Sequence, residues 1–143
     1  MGWSFGGYAA VMAPIVEPGL YRCAIAAAGY YDVVAQKREA DYADVDSLAL
    51  ELKRLYSDDE ALLRQQSPLT YIDKLSVPVF IVHGGEDERV PPEQAFKLKA
   101  ALIKHNKPFE WMFKENEGHG FANETNRQDF YRKSLEFLNR YLR

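Results

Sequence analysis

One run of seven residues, Val77-Pro78-Val79-Phe80-Ile81-Val82-His83, constrains the fold of this chain more than any other stretch. Its β-branched and aromatic side chains, closed by Gly84-Gly85, read as a strand, and no polar face interrupts it. Pro78 belongs near the start of that strand, where a missing N–H does least harm. Tyr21 to Ala28 is a second short apolar run, followed by Gly29. Its alanines favour helix by propensity, but its position in an alternating pattern favours a buried parallel strand, and it is read as one. Phe109-Glu110-Trp111-Met112-Phe113 alternates as a third strand.

Helical patterns separate these runs. Gly6 to Ala13 is small and apolar, a buried helix that Pro14 is expected to end or kink. Val45, Leu48, Leu52 and Leu55 recur at helical spacing within residues 37–60, whose acidic side faces water. Pro91-Pro92-Glu93 opens a helix to about Lys104. A final amphipathic helix runs from Asn123 to Leu142, with Phe130, Leu135, Phe137, Leu138 and Tyr141 on its apolar side. Strands alternating with helices in a chain of 143 residues predict one α/β domain, a short, mostly parallel sheet covered by helices.

Composition removes several function classes. The formal net charge is -3 and no basic patch stands out, which excludes a nucleic-acid footprint. Cys23 is alone, so there is no internal disulfide and no cysteine metal site, and no metal or cofactor is expected. No apolar run reaches the length of a membrane span and no secretory pattern is present, so the default compartment is the cytoplasm. Met1-Gly2-Trp3-Ser4 reads as the middle of a domain, and any targeting signal of a longer parent is expected upstream.

Three loops carry chemistry. Gly2-Trp3-Ser4-Phe5-Gly6 fits the G-x-S-x-G elbow, in which a sharp strand-to-helix turn lifts a serine hydroxyl clear of the sheet. A glycine-rich turn with a surface serine has the same pattern. Asp87 follows the best strand and its glycine turn, flanked by Glu86 and Glu88, which are expected to face solvent. His119 lies between Gly118 and Gly120, after the last strand and before the last helix. His105 reads as a helix C-terminal residue and His83 as a structural histidine. The order Ser, Asp, His, each after a different strand, is the chain order of α/β-hydrolases and makes Ser4, Asp87 and His119 a candidate triad.

With these motifs on the page, the chain resembles the C-terminal part of the catalytic domain in the prolyl oligopeptidase family of serine peptidases, which includes dipeptidyl and acylaminoacyl peptidases. Gly2-Trp3-Ser4-Phe5-Gly6-Gly7-Tyr8, His83 to Pro91 and Glu117-Gly118-His119-Gly120-Phe121 are similar to its serine, aspartate and histidine motifs. Ser67-Pro68-Leu69 and the Tyr131 to Leu142 tail extend the likeness across residues 1–143. The resemblance implies peptide substrates, with Ser4 as nucleophile, His119 as base, Asp87 as its orienting acid and the Phe5 N–H as an oxyanion donor. It implies Val90 as a pocket residue, and Tyr30 and Tyr31 lie where pocket aromatics occur. Exopeptidase and endopeptidase activity both stay open.

The resemblance also implies that this is a partial α/β-hydrolase fold holding only the last three strands. A second oxyanion donor and a substrate-selecting β-propeller are expected to lie outside it. The edge of the Tyr21–Ala28 strand is then expected to be bare, with apolar surface around Ala24, Ile25, Ala26, Val11 and Met12, and to drive homo-oligomer formation. Two alternatives remain: a non-catalytic, self-associating fragment, and an esterase or dienelactone-hydrolase-like enzyme sharing the elbow. The Gly-Trp-Ser and Gly-His-Gly-Phe forms favour a peptidase over the latter.

Overall fold

The computed structural model of the chain describes residues 1–39 and 57–142. Four strands form one sheet in the order of the sequence: β1 (Gly2–Trp3), β2 (Ala24–Ala27), β3 (Val79–Gly84) and β4 (Phe109–Lys114). Every neighbouring pair is parallel. The described helices are α1 (Phe5–Val16), α2 (Val33–Glu39), α3 (Glu60–Gln65), α4 (Glu93–Lys104) and α5 (Glu124–Tyr141), with a 3₁₀ segment at Pro68–Lys74.

Side chains alternate across the two faces of the sheet, and each face has its own core. Ala24, Ala26, Val79 and Ile81 meet Val11 of α1 and Ala95, Leu98 and Leu102 of α4 on one face. Ile25, Ala27, Phe80, Val82 and Met112 meet Phe130 and Phe137 of α5 on the other. All four β2 residues and all six β3 residues are buried, as expected of a parallel sheet covered on both sides.

Three expectations are corrected. The first concerns strand number. Gly2 and Trp3 form a fourth strand, pairing with Ala26 and Ala27, so the edge of β2 is partly covered by the chain itself. Ala24, Ile25, Ala26 and Val11 are also buried, because helices from both faces close over these short side chains. The expected apolar surface is therefore not at those residues. Second, Pro14 does not end α1, which continues to Val16. A proline removes one helical N–H bond, but the Glu17 N–H still reaches the Ala13 carbonyl at 2.8 Å and Pro14 itself is buried. Third, β2 is shorter than the Tyr21–Ala28 run: it begins only at Ala24, and at its far end Ala28 turns the chain with a φ of 44°. The helix read within 37–60, with Val45, Leu48, Leu52 and Leu55, falls mostly outside the described residues.

The other strands and helices lie close to their predicted bounds. Pro78 precedes β3, and its carbonyl accepts from the Ala24 N–H at 2.9 Å, so the ring costs the ladder no bond. Asn123 caps α5 by accepting from the Asn126 N–H at 3.2 Å.

Candidate active site

Parallel strands send the loops that follow them out at one edge of the sheet. Ser4 follows β1, Asp87 follows β3 and His119 follows β4. All three candidate residues therefore leave the same edge.

Ser4 has φ 58° and ψ -120°, a left-handed conformation that costs a non-glycine residue about 1–3 kcal/mol. The chain is held there from both sides. The Ser4 N–H donates to the Ala27 carbonyl at 2.9 Å, and the Ser4 carbonyl accepts from the Gly7 and Tyr8 N–H groups to begin α1. The turn is so tight that a Cβ on Gly2 would stand 2.1 Å from the Gly6 carbonyl oxygen. Glycine at position 2 is thus a packing requirement of the elbow, whereas a Cβ on Gly6 would meet nothing within 4 Å. The first N–H groups of α1, beginning at Phe5, have no partner within the helix and lie at its positive end.

Asp87 is buried while Glu86 and Glu88 are exposed. Its Oδ1 accepts from the Val90 N–H at 2.9 Å. The Nδ1 of His119 lies 2.9 Å from Oδ2 and 3.1 Å from Oδ1. A carboxylate accepts, so Nδ1 carries the proton of this bond and Nε2 is the nitrogen left for chemistry.

Two further residues hold the histidine loop. The indole Nε1–H of Trp3 donates to the His119 carbonyl at 2.6 Å, tying the residue beside Ser4 to the backbone of the histidine loop. Glu117 is buried, and its carboxylate accepts from the Ala122 N–H at 2.7 Å, the Asn123 N–H at 3.1 Å and the Asn126 amide at 2.8 Å. Burial pushes the Glu117 carboxyl up, but the bonds from Asn126, Ala122 and Asn123 more than offset it and leave it below the usual range. The Asp87 loop lies directly under this one. The Glu86 N–H donates to the Glu117 carbonyl at 2.9 Å, and a Cβ on Gly84 would stand 2.2 Å from that same oxygen. Sequence reading included Glu117 and Trp3 in their motifs but gave neither a role. A carboxylate seven residues before the start of α5 was the available signal for Glu117.

The remaining predicted residues are dispersed. Val90 is buried, and its backbone rather than its side chain touches Asp87. Tyr31 is fully buried in the core beside Val11 and Ala26, where burial raises its hydroxyl pKa. Tyr30 is half-buried and stacks on Tyr8 at 5.2 Å, and Tyr8 stacks on Phe5 at 5.5 Å. An aromatic row thus starts next to Ser4, with Phe5 64% exposed at its end. His105 caps the C-terminus of α4. His83 is buried at the end of β3, with Nε2 2.9 Å from the Val90 carbonyl.

A parallel sheet with a strained serine between strand and helix, and an Asp–His pair at the same edge, defines an α/β-hydrolase domain. Comparison with known proteins then gives the family. A model of the prolyl oligopeptidase family matches residues 1–143, and the chain belongs to that family. It is similar to dipeptidyl peptidase family member 6 of Caenorhabditis elegans, 26% identical over 99% of this chain and 20% of that protein. Dipeptidyl aminopeptidase BIII of Pseudoxanthomonas mexicana is 28% identical over 96% of this chain and 21% of that protein. The chain thus spans about a fifth of the length of these curated relatives. Among solved structures, a Mycobacterium tuberculosis puromycin-hydrolyzing peptidase matches with a TM-score of 0.87 and 26% identity, over 99% of this chain and 21% of that one. The Pyrococcus horikoshii acylaminoacyl peptidase shares the fold with a TM-score of 0.86 at 22% identity, over 99% of this chain and 23% of that one.

Proposed function

We propose that this chain carries the catalytic triad of a serine peptidase, with Ser4 as nucleophile, His119 as general base and Asp87 as its orienting acid. The observation that carries this reading is the grip of the Asp87 carboxyl on Nδ1 of His119, at the sheet edge where Ser4 sits on its strained elbow. With Nδ1 so engaged, Nε2 takes the Ser4 proton as Oγ attacks a peptide carbonyl, then gives it to the leaving amine. Asp87 stabilises the imidazolium formed between these steps. The Phe5 N–H, at the positive end of α1, donates to the oxyanion. The row Phe5, Tyr8 and Tyr30 offers the apolar surface nearest the nucleophile to a substrate side chain.

Loss of one oxyanion donor costs about 10²–10³ in rate, and the Phe5 N–H is the one donor assigned among the described residues, so labelling is expected to be slow. A fluorophosphonate probe tests the assignment. Slow labelling at Ser4, lost in Ser4→Ala and strongly reduced in His119→Ala, is the expected result. Equal labelling of the Ser4→Ala chain would overturn it. Hydrolysis of aminoacyl anilides, against simple acyl esters alone, separates a peptidase from an esterase.

Self-association is a second, independent reading. Met1 is 73% exposed, Leu20 71% and Val16 60%, and β1 covers β2 only at Ala26 and Ala27. Apolar surface around a short sheet edge favours pairing with a second copy. Sedimentation of a compact monomer at micromolar concentration would refute it.

A further inference from the structure

Asp87 faces two imidazoles. His119 approaches it from the loop after β4, and His83 approaches from inside the sheet, with Nε2 3.4 Å from Asp87 Oδ2 and 2.9 Å from the Val90 carbonyl. A carbonyl oxygen only accepts, so Nε2 of His83 must carry a proton. Its Nδ1 is buried and has no hydrogen-bond partner among the described residues, which fits the same tautomer. Burial lowers the His83 pKa, against the Val90 carbonyl and the charges of Asp87 and Glu93, which raise it, and with His119, which lowers it. The ring is therefore neutral, and it donates from one nitrogen only.

That single donor closes a ring of contacts around the carboxylate. The His83 Nε2–H donates to the Val90 carbonyl, and the Val90 N–H donates to Asp87 Oδ1 at 2.9 Å. The remaining contact of Nε2 is the other carboxylate oxygen, the one closest to His119. Residues 87–90 thus turn about an imidazole that β3 holds with its full register against β4. We propose that His83 is a positioning residue for Asp87. Its neutral Nε2–H, bonded to the Val90 carbonyl and lying 3.4 Å from Oδ2, sets the carboxyl at hydrogen-bonding distance from Nδ1 of His119. Being neutral, it adds no second cation, and the Asp87 charge is left to stabilise His119 alone. The inference rests on the reading of Asp87 and His119 as a catalytic pair.

The test reads the imidazoles themselves and does not depend on turnover. Nitrogen-15 spectra of histidine-labelled chain report the tautomer of His83. The low-field proton of Nδ1–H in His119 reports the grip of Asp87. In the unaltered chain, His83 is expected as the neutral Nε2–H tautomer. In His83→Phe the low-field proton is expected to be lost. In His83→Gln, which keeps a donor, it is expected to return at least in part. A merely structural role predicts lower stability in the Phe variant with the His119 signal unchanged, and a folded variant with that signal would overturn the proposal. Should the Phe variant not fold, the Gln variant decides, since loss of the signal there would overturn the proposal equally. The Nδ1–H tautomer at His83 would overturn it whatever the variants do. Absence of the low-field proton in the unaltered chain would instead sink the Asp87–His119 pair, and the proposal with it.

Discussion

Nδ1 of His119 lies 2.9 Å and 3.1 Å from the two carboxylate oxygens of Asp87, across a separation of 32 residues in the chain. The contact depends on two loops stacked closely enough for the Glu86 N–H to reach the Glu117 carbonyl. Asp87→Asn keeps the shape of this contact but can present an amide donor to Nδ1, which favours the wrong tautomer. Labelling of Ser4 is expected to slow by about 10⁴-fold with little change in stability. A variant that labels at the parent rate would remove Asp87 from the triad. Stopped-flow or gel-based probe kinetics measure it.

Ser4 sits in a strained backbone conformation. Its φ of 58° is comfortable for glycine and strained for any other residue. Ser4→Gly is therefore expected to stabilise the fold by about 1 kcal/mol while abolishing labelling, whereas Ser4→Ala abolishes labelling without that gain. Thermal melts of the two variants side by side decide the matter. Equal melting temperatures would mean that the elbow stores no strain.

The stacking of the two loops leaves no room at Gly84. A methyl group there would sit 2.2 Å from the Glu117 carbonyl oxygen, and that atom is backbone, which yields little. Gly84→Ala is expected to cost about 3 kcal/mol and to separate Asp87 from His119. Urea unfolding gives the first quantity and the His119 low-field proton the second. A change below about 0.5 kcal/mol would show that the loops part easily.

Acid should act through Asp129. Lys114 on β4 holds its carboxyl down to about 2, and Lys133 and Arg132 add to this. The folded pKa is thus below the unfolded value of about 3.9, so the contribution is complete above the latter. It disappears as pH falls through about 4 towards about 2. The expected observation is an unfolding free energy that exceeds that of Asp129→Asn near neutrality, with the gap closing across this window. A gap independent of pH would mean that the ion pair contributes nothing to folding. Glu117, also held below the usual carboxylate range, titrates in the same direction, so Glu117→Gln serves as the companion control.

Much of this protein is written locally. The apolar run at Val79–Gly84, the alternation at Phe109–Lys114 and the Asn123 cap each sit within a few residues of the structure they specify. The placement of Asp87 and His119 after two neighbouring strands needed only strand recognition and the parallel sheet that such alternation implies, while Ser4 was legible from its G-x-S-x-G pattern. Other features depend on partners far along the chain. Two residues, Gly2 and Trp3, are too few to announce a strand, and they become one only because β2 lies beside them. Pro14 is expected to end or kink its helix, yet α1 runs on to Val16 with the ring buried and the Glu17 N–H still bonded to the Ala13 carbonyl. Tyr31 looks like a pocket aromatic in sequence, yet the core closes over it. The roles of Trp3, Glu117 and His83 arise from bonds to His119, to the start of α5 and to the Asp87 loop. Backbone preference and hydrophobic period act over one or two turns of chain. Burial and hydrogen-bond partnership are settled only when distant segments pack, so the sequence determined which elements form and the tertiary structure decided what their side chains do.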